Sequence, residues 1–386
     1  MIADSLRKLG DVFTLQRGFD ITKKEQSEGV YPVVSSSGIN SYHNKYKVQG
    51  PGVVIGRKGT LGTTFYLESD YWPHDTSLWI KDFKGNNPKF LYYFLKKLPL
   101  EKLDSGSANP TLNRNFVHLI ESYIPHVSVQ GEIANILTDL DEKIELNNKI
   151  NAELEAMAKL IYDYWFVQFD FPDANGKPYK SSGGKMVYNE ELKREIPEGW
   201  DVGTLLDIAD FTNGIACQKY RPEKNEDYYN VIKIREMGSG FTEKSEFISQ
   251  NIPDKVVINN GDVLFSWSAT LDVKIWSGGI GGLNQHIFKI TSSKYPRTYY
   301  YFEVLRYLQH FKIIAELRKT TMGHITQDHL KQSRISIPPK DLIKALHEKI
   351  DPMLNKVVKG MEENLKIAEL RDWLLPILMN GQVTVT

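Results

Sequence analysis

A chain of 386 residues with 41% apolar and 25% charged side chains can bury two or three cores, and its 48 Lys+Arg offset 48 Asp+Glu. Zero net charge argues against a protein that coats nucleic acid irrespective of sequence. The start MIADSLRKLG lacks an apolar signal core and no stretch approaches ~18 apolar residues, while the one cysteine, Cys217, excludes an internal disulfide; we expect a cytoplasmic protein, neither exported nor membrane-inserted.

Residues 1–128 read as a mixed α/β module. Short β-rich runs at Val30–Ser35, Val53–Ile55, Thr63–Leu67 and Ser77–Lys81 are punctuated by glycine and asparagine. A helix follows at Pro88–Leu98, then a polar loop at Asp104–Pro110, and a last strand, Glu121–Ile124, ends at proline.

Residues 129–168 form one long amphipathic helix. Ile133, Leu140, Asn147, Leu154 and Ile161 recur at steps of seven, with Leu137, Ile144, Asn151, Ala158 and Trp165 as the partner column and Ile136, Ile150, Met157 and Tyr164 flanking. A continuous apolar seam bordered by charge marks a helix that packs along another helix. At ~1.5 Å per residue it spans roughly 55 Å. The two asparagines in the seam fix register at a cost in stability. Phe169–Met186, rich in Gly, Pro, Ser and Lys, reads as a linker.

Residues 187–340 repeat the order of the first module. Strands are expected at Asn230–Ile234, Asp262–Ser266, Lys274–Trp276 and Gln285–Ile290, a helix from Pro296 to Phe311 or beyond, a loop at Arg318–His324 and a strand at Arg334–Ile337. Residues 341–386 supply a second long helix and a tail, with Leu346, Met353, Val357, Gly360, Met361, Asn364, Ile367 and Leu374 on its seam. Pro352 after Asp351 suggests a break and restart, and Pro376 and Gly381 a close. Each long helix is the obvious partner of the other, and the charge pattern leaves the modules mildly basic and the helices acidic.

The repetition extends to the residues. Leu9–Gly18 aligns with Leu205–Gly214 at a shift of 196, Gly52–Leu61 with Asp262–Leu271 at 210, and Leu112–Pro125 with Ile325–Pro338 at 213. Growing shifts mean loop insertions between shared core elements, and a period of roughly 190 residues means a duplicated domain.

Catalytic patterns are missing. Gly56–Gly62 has the wrong spacing for a phosphate loop and reads as a basic β-turn; the nine histidines show no metal-ligand spacing, and Cys217 reads as core. We therefore expect no catalytic residue, metal or cofactor.

Basic and polar residues instead cluster in loops. In the first module they are Arg17, Lys23, Lys24, Ser36, Ser37, His43, Arg57, Lys58, Asn109 and Arg114. In the second they are Lys219, Tyr220, Arg221, Lys233, Arg235, Trp267, Ser268, Lys319 and His324. Lysines and hydroxyls suit phosphate oxygens, while Arg and Asn can take base edges in pairs. Arg57-Lys58 and Trp267-Ser268 hold the same slot in the two copies, the pattern of two readers for two different sequences. A competing reading is a bivalent adaptor that holds two protein ligands on a helical stalk.

The layout, together with Leu9-Gly10-Asp11-Val12, Ile196-Pro197-Glu198-Gly199-Trp200 leading to Leu205-Leu206-Asp207-Ile208, the helix ending Met157–Phe166, and Leu370–Pro376 with Asn380-Gly381-Gln382-Val383, resembles the specificity subunits of type I restriction–modification systems. The resemblance covers nearly the whole chain; the first copy lacks the Pro-Glu-Gly-Trp lead-in. It implies an α+β fold: two target-recognition domains (1–128 and 187–340), each reading one half of a split DNA target, held apart by two antiparallel helices in pseudo-twofold duplication. It also implies docking of modification and restriction subunits, with S-adenosylmethionine and ATP on those partners only. Exposed helix faces would favour self-association of the isolated chain.

Overall fold

The computed structural model describes residues 5–104, 110–317 and 324–380. The chain divides into two compact units, residues 1–144 with 367–386 and residues 145–366.

In unit 1 the main sheet orders Thr14–Arg17, Ser77–Asp82, Gly52–Gly56 and Thr64–Leu67, all antiparallel. A second sheet pairs Tyr31–Ser35 antiparallel with Gly38–His43 and parallel with Trp72–Pro73. Ser5–Lys8 and Glu121–Ile124 close the unit as a separate antiparallel pair. Unit 2 repeats this with Asp210–Asn213, Ile287–Thr291, Val263–Ser266 and Asp272–Ile275 in the main sheet. There Tyr228–Ile232 runs parallel to Gly281–Leu283, and Asp201–Thr204 pairs with Arg334–Ile337. The duplication is thus topological as well as sequential.

A helix packs on each main sheet, Pro88–Lys97 in unit 1 and Arg297–Leu317 in unit 2. Asn87 caps the first by accepting a hydrogen bond from Phe90 N at 2.9 Å, with Pro88 at the first position, where its missing N–H removes no bond. Cys217 is buried, as its apolar surroundings require, and burial pushes its thiol pKa up.

The long helices run Val127–Tyr162 and Lys340–Met379. In unit 1, Ile133 and Leu137 share a core with Leu374, Leu378 and Met379, and Asp141 accepts from Arg371 at 2.6 Å. In unit 2, Ala158, Tyr162 and Trp165 share a core with Leu346, Ile350 and Leu354. There Asn147 Nδ2 donates to Glu363 and Asn364, both at 2.9 Å, and Asn364 Nδ2 donates to Asn148 at 2.8 Å. Gly360 lies against Asn151: a Cβ there would stand 2.5 Å from Asn151 Oδ1. Pairs 147–364 and 151–360 advance in opposite senses, so the segments are antiparallel. Of the expected seam, Asn147, Asn151, Trp165 and Val357 are buried, and Leu140, Ile144, Leu154, Ile161, Met361, Asn364, Ile367 and Leu374 are half-buried.

Several expectations need correction. The terminal helix does not break at Pro352 or close at Pro376; it runs through both. Each proline leaves the carbonyl four residues back, at Glu348 or Asp372, without its helical donor, and both residues are exposed, so water can serve. Of the flanking column, Ile136 is half-buried and packs on the unit 1 core, but Ile150, Met157 and Tyr164 are exposed and not part of the seam. The stretch read as a linker is folded onto unit 2. Phe169 and Phe171 pack on Trp200 with centroids at 5.2 and 5.6 Å, and Asp170 accepts from Ser181 N and Oγ at 2.7 and 2.6 Å. The strand expected over Asn230–Ile234 stops at Ile232 and a helical turn, Ile234–Ser239, follows.

Candidate nucleic-acid interface

Two backbone cradles of the same construction hold the residues that the copies vary. In unit 1, Gly18 N donates to Ser77 O (3.1 Å), Phe19 N to Pro73 O (2.8 Å), Arg57 N to Thr76 O (2.9 Å) and Leu112 N to Arg57 O (2.9 Å). In unit 2 the equivalent bonds are Gly214 N to Ile287 O (3.0 Å), Ile215 N to Leu283 O (2.9 Å), Trp267 N to His286 O (3.3 Å) and Ile325 N to Trp267 O (3.0 Å). The glycines are obligatory for the same reason: a Cβ would lie 2.1 Å from His74 O at Gly18 and 2.2 Å from Asn284 O at Gly214. Main-chain bonds fix this frame without using a side chain, so side chains on it can change without moving it.

The unit 1 slot is charged. Arg17 Nη2 donates to the Asp75 carboxylate at 2.7 Å, and Arg57 Nη1 reaches the Asp75 carbonyl at 3.4 Å. His74 Nδ1 lies 3.1 Å from Asp75 and 3.0 Å from Thr76 Oγ1. Burial pushes the Asp75 carboxyl pKa up, but the Arg17 hydrogen bond, His74 and Lys58 outweigh it and hold the group below its ordinary value. Burial and the neighbouring Arg17 lower the Arg57 pKa, which Asp75 partly offsets. Asp20, His74 and Asp75 bring ligating atoms within 4.8 Å of one another, but the Asp75 charge is already committed to Arg17. Beside the slot lies an open cavity of about 260 Å³ lined by Lys23, Ser35, Ser36, Ser37, His74 and Thr76, among others.

Among the described residues the unit 2 slot holds an indole, amides and imidazoles in place of the arginines and carboxylate. Trp267 Nε1 donates to Asn213 Oδ1 at 2.9 Å, and the indole stands against His286, Phe288 and His324 at centroid distances of 5.7, 5.8 and 5.5 Å. Gln285 Nε2 lies 3.4 Å from His286 Nε2. The Nδ1 atoms of His286 and His324 are buried with no hydrogen-bond partner among the described residues.

The other sequence candidates scatter. Lys23 and Lys24 are exposed in one turn, Ser36 and Ser37 form the turn between Tyr31–Ser35 and Gly38–His43, and Arg114 is exposed at the start of Arg114–Leu119. Lys219, Tyr220 and Arg221 are exposed together at the end of the short helical turn Cys217–Lys219. His43 is a correction: it is buried, accepts from Ser27 N at 2.9 Å and stacks edge-on against Trp72, so it serves the fold. Ser268 is buried too, leaving Trp267 as the presented member of its pair. Lys233 is ion-paired with Glu246, and Arg235 with the buried Glu236 at 2.5 Å, so both spend charge internally. Asn109 and Lys319 lie outside the described residues. The structure adds Asn213, His74, Asp75, Thr76, Asn284, Gln285 and His286. The 210-residue shift, carried on from Leu61 to Ser77, would have found the last six.

A sequence model of the type I restriction modification DNA specificity domain matches residues 5–156 and again residues 197–366. The chain belongs to this family, whose role is DNA specificity rather than catalysis. It is similar to the MjaIX specificity subunit of Methanocaldococcus jannaschii, 26% identical over 77% of this chain and 69% of that one. It is also similar to the HindI specificity subunit of Haemophilus influenzae, 23% identical over 71% of each. A crystal structure of the type I S subunit from M. genitalium has the same fold, with a TM-score of 0.63 at 14% identity over 99% of this chain and 96% of that one. Among the described residues no helix is long and apolar enough to cross a membrane.

Proposed function

We propose that this chain is the specificity subunit of a type I restriction–modification complex, that each unit reads one half of a split DNA target, and that the duplex between the halves goes unread. The observation that carries this reading is the pair of cradles: one hydrogen-bonded frame, built twice, with an arginine–carboxylate set in one copy and an indole–amide set in the other. A single frame with unlike contents suits recognition of unlike sequences. The reading includes modification and restriction subunits as partners, with S-adenosylmethionine and ATP bound by them.

Each unit alone would bind weakly; joined, the second contact becomes intramolecular and gains from effective concentration when the spacing fits. Two experiments test the reading. The chain assembled with its modification subunits and offered randomised duplexes should transfer methyl groups within a two-part motif, and absence of transfer would favour the adaptor. One heptad inserted between Leu140 and Asn147, with its match in the terminal helix, adds ~10 Å and should lengthen the unread gap by about three base pairs. An unaltered gap would remove the helices from the measurement of spacing.

A further inference from the structure

We infer that the Arg17–Arg57 slot of unit 1 reads a guanine, with Asp75 as a positioning residue, and that the equivalent slot of unit 2 does not. This rests on the reading proposed above and adds the base class.

Two guanidiniums meet in this slot at one residue, Asp75. Arg17 lies at the end of Thr14–Arg17, Arg57 directly after Gly52–Gly56, and Asp75 in the turn before Ser77–Asp82, so three adjacent strands of the main sheet converge there. Asp75 accepts from Arg17 through its carboxylate and from Arg57 through its carbonyl. That arrangement offsets their mutual repulsion and restrains both forks, while the Arg17 side chain remains 54% exposed. In the major groove guanine offers two adjacent acceptors, O6 and N7, which a planar fork of N–H donors matches in pairs. Adenine sets a donor beside its acceptor and cytosine offers a donor, and a guanidinium, having no acceptor, can satisfy neither set. The Asp75 carboxylate, an acceptor that could suit cytosine, is engaged by Arg17. In unit 2 the same positions hold Asn213, Trp267 and Gln285. Their amides carry donor and acceptor together, and the indole N–H is spent on Asn213, so among the described residues no guanidinium is set in that frame.

The test uses the full chain assembled with its modification subunits and a pool of duplexes randomised at every position. Wild type, Arg17→Gln, Arg57→Gln and Asp75→Ala are compared by the sequences they methylate. Preference for one guanine, in one half only, should fall roughly ten- to hundred-fold in the arginine variants and shift at that same position in Asp75→Ala, with the other half unchanged. The intact second half certifies that each variant is folded and assembled. A pure scaffold role for Asp75 would lower methylation without altering base preference, which would overturn its positioning role. The guanine assignment is overturned if every position keeps its preference in the arginine variants, or if both halves weaken alike, as phosphate contacts would. A wild-type complex that yields no two-part motif would instead overturn the reading on which it rests.

Discussion

Arg57 and Trp267 leave the same strand of the same frame, donate the same backbone bond and accept the same return bond, yet one enters a knot of charge and the other a stack of rings. In unit 1 the side chains around that position are held by ion pairs; in unit 2 by an indole–amide bond and aromatic contacts. The difference teaches that frame and contents are separately specified. Backbone hydrogen bonds and two glycines make the frame, so divergence at the slot need not disturb the fold.

The comparison breaks most severely if the frame is damaged. Gly18→Ala and Gly214→Ala each push a Cβ into a carbonyl barely 2 Å away, at 2.1 and 2.2 Å. We expect a loss of roughly 3 kcal/mol in thermal unfolding, and selective loss of recognition of one half in each case. Equal loss of both halves would mean that the frames are not independent.

A second effect sharpens the contrast between the helix segments of the two units. In unit 2 the seam holds a polar layer of Asn147, Asn148, Glu363 and Asn364, while unit 1 has an ion pair, Asp141–Arg371, supported by Tyr93 Oη at 2.8 Å. Asn147→Ala strips the donor from two acceptors and should cost about 1–2 kcal/mol by denaturant titration. Asn147→Leu should keep more stability but loosen register, read as added oligomeric species in light scattering.

Smaller still, Lys58→Gln removes an exposed cation beside the charged slot. It should weaken binding of all sequences alike and reduce the salt slope of affinity by about 1, with base preference intact. A changed preference would move Lys58 from backbone contact to base reading.

The last effect concerns pH. His118 accepts from Leu15 N at 3.0 Å in unit 1, and burial, then Arg114 and Lys84, lower its pKa. The unfolded chain therefore takes up a proton just below the ordinary histidine value while the folded chain does not. Stability present above about pH 6.5 is lost as pH falls below it, levelling once the folded group also protonates. His118→Gln should flatten that limb of the melting-temperature profile.

Much of the fold was legible in the sequence because it rests on periodicity and repetition. Steps of seven from Ile133 to Ile161 announced a helix–helix seam, and three aligned blocks announced two copies. What periodicity could not give was the tolerance of Pro352 and Pro376, which depends on which face is wet, or the docking of Phe169 and Phe171, since a Gly- and Ser-rich stretch hides two aromatic anchors. Of the site, side-chain chemistry and loop placement pointed to Arg17 and Arg57, which the structure brings together at Asp75, and to Trp267 and His324, which it brings together in the other copy of the frame. The same criterion took in His43, Lys233 and Arg235, because composition does not reveal which polar groups are already satisfied. Asp75, Asn213 and Gln285 were passed over because an acidic residue or a lone amide does not look like a contact until its neighbours are known.

The central claim is that slot chemistry on a common frame sets the half-site. It is tested most directly by transplanting the unit 1 set into unit 2, as Asn213→Arg, Trp267→Arg, Gln285→Asp and His286→Thr together, and reading the sequences methylated by the assembled complex. The account predicts a new guanine preference in the half read by unit 2, with the other half unchanged. A complex that still methylates its original two-part target, with the preferences of that half unaltered, would contradict it.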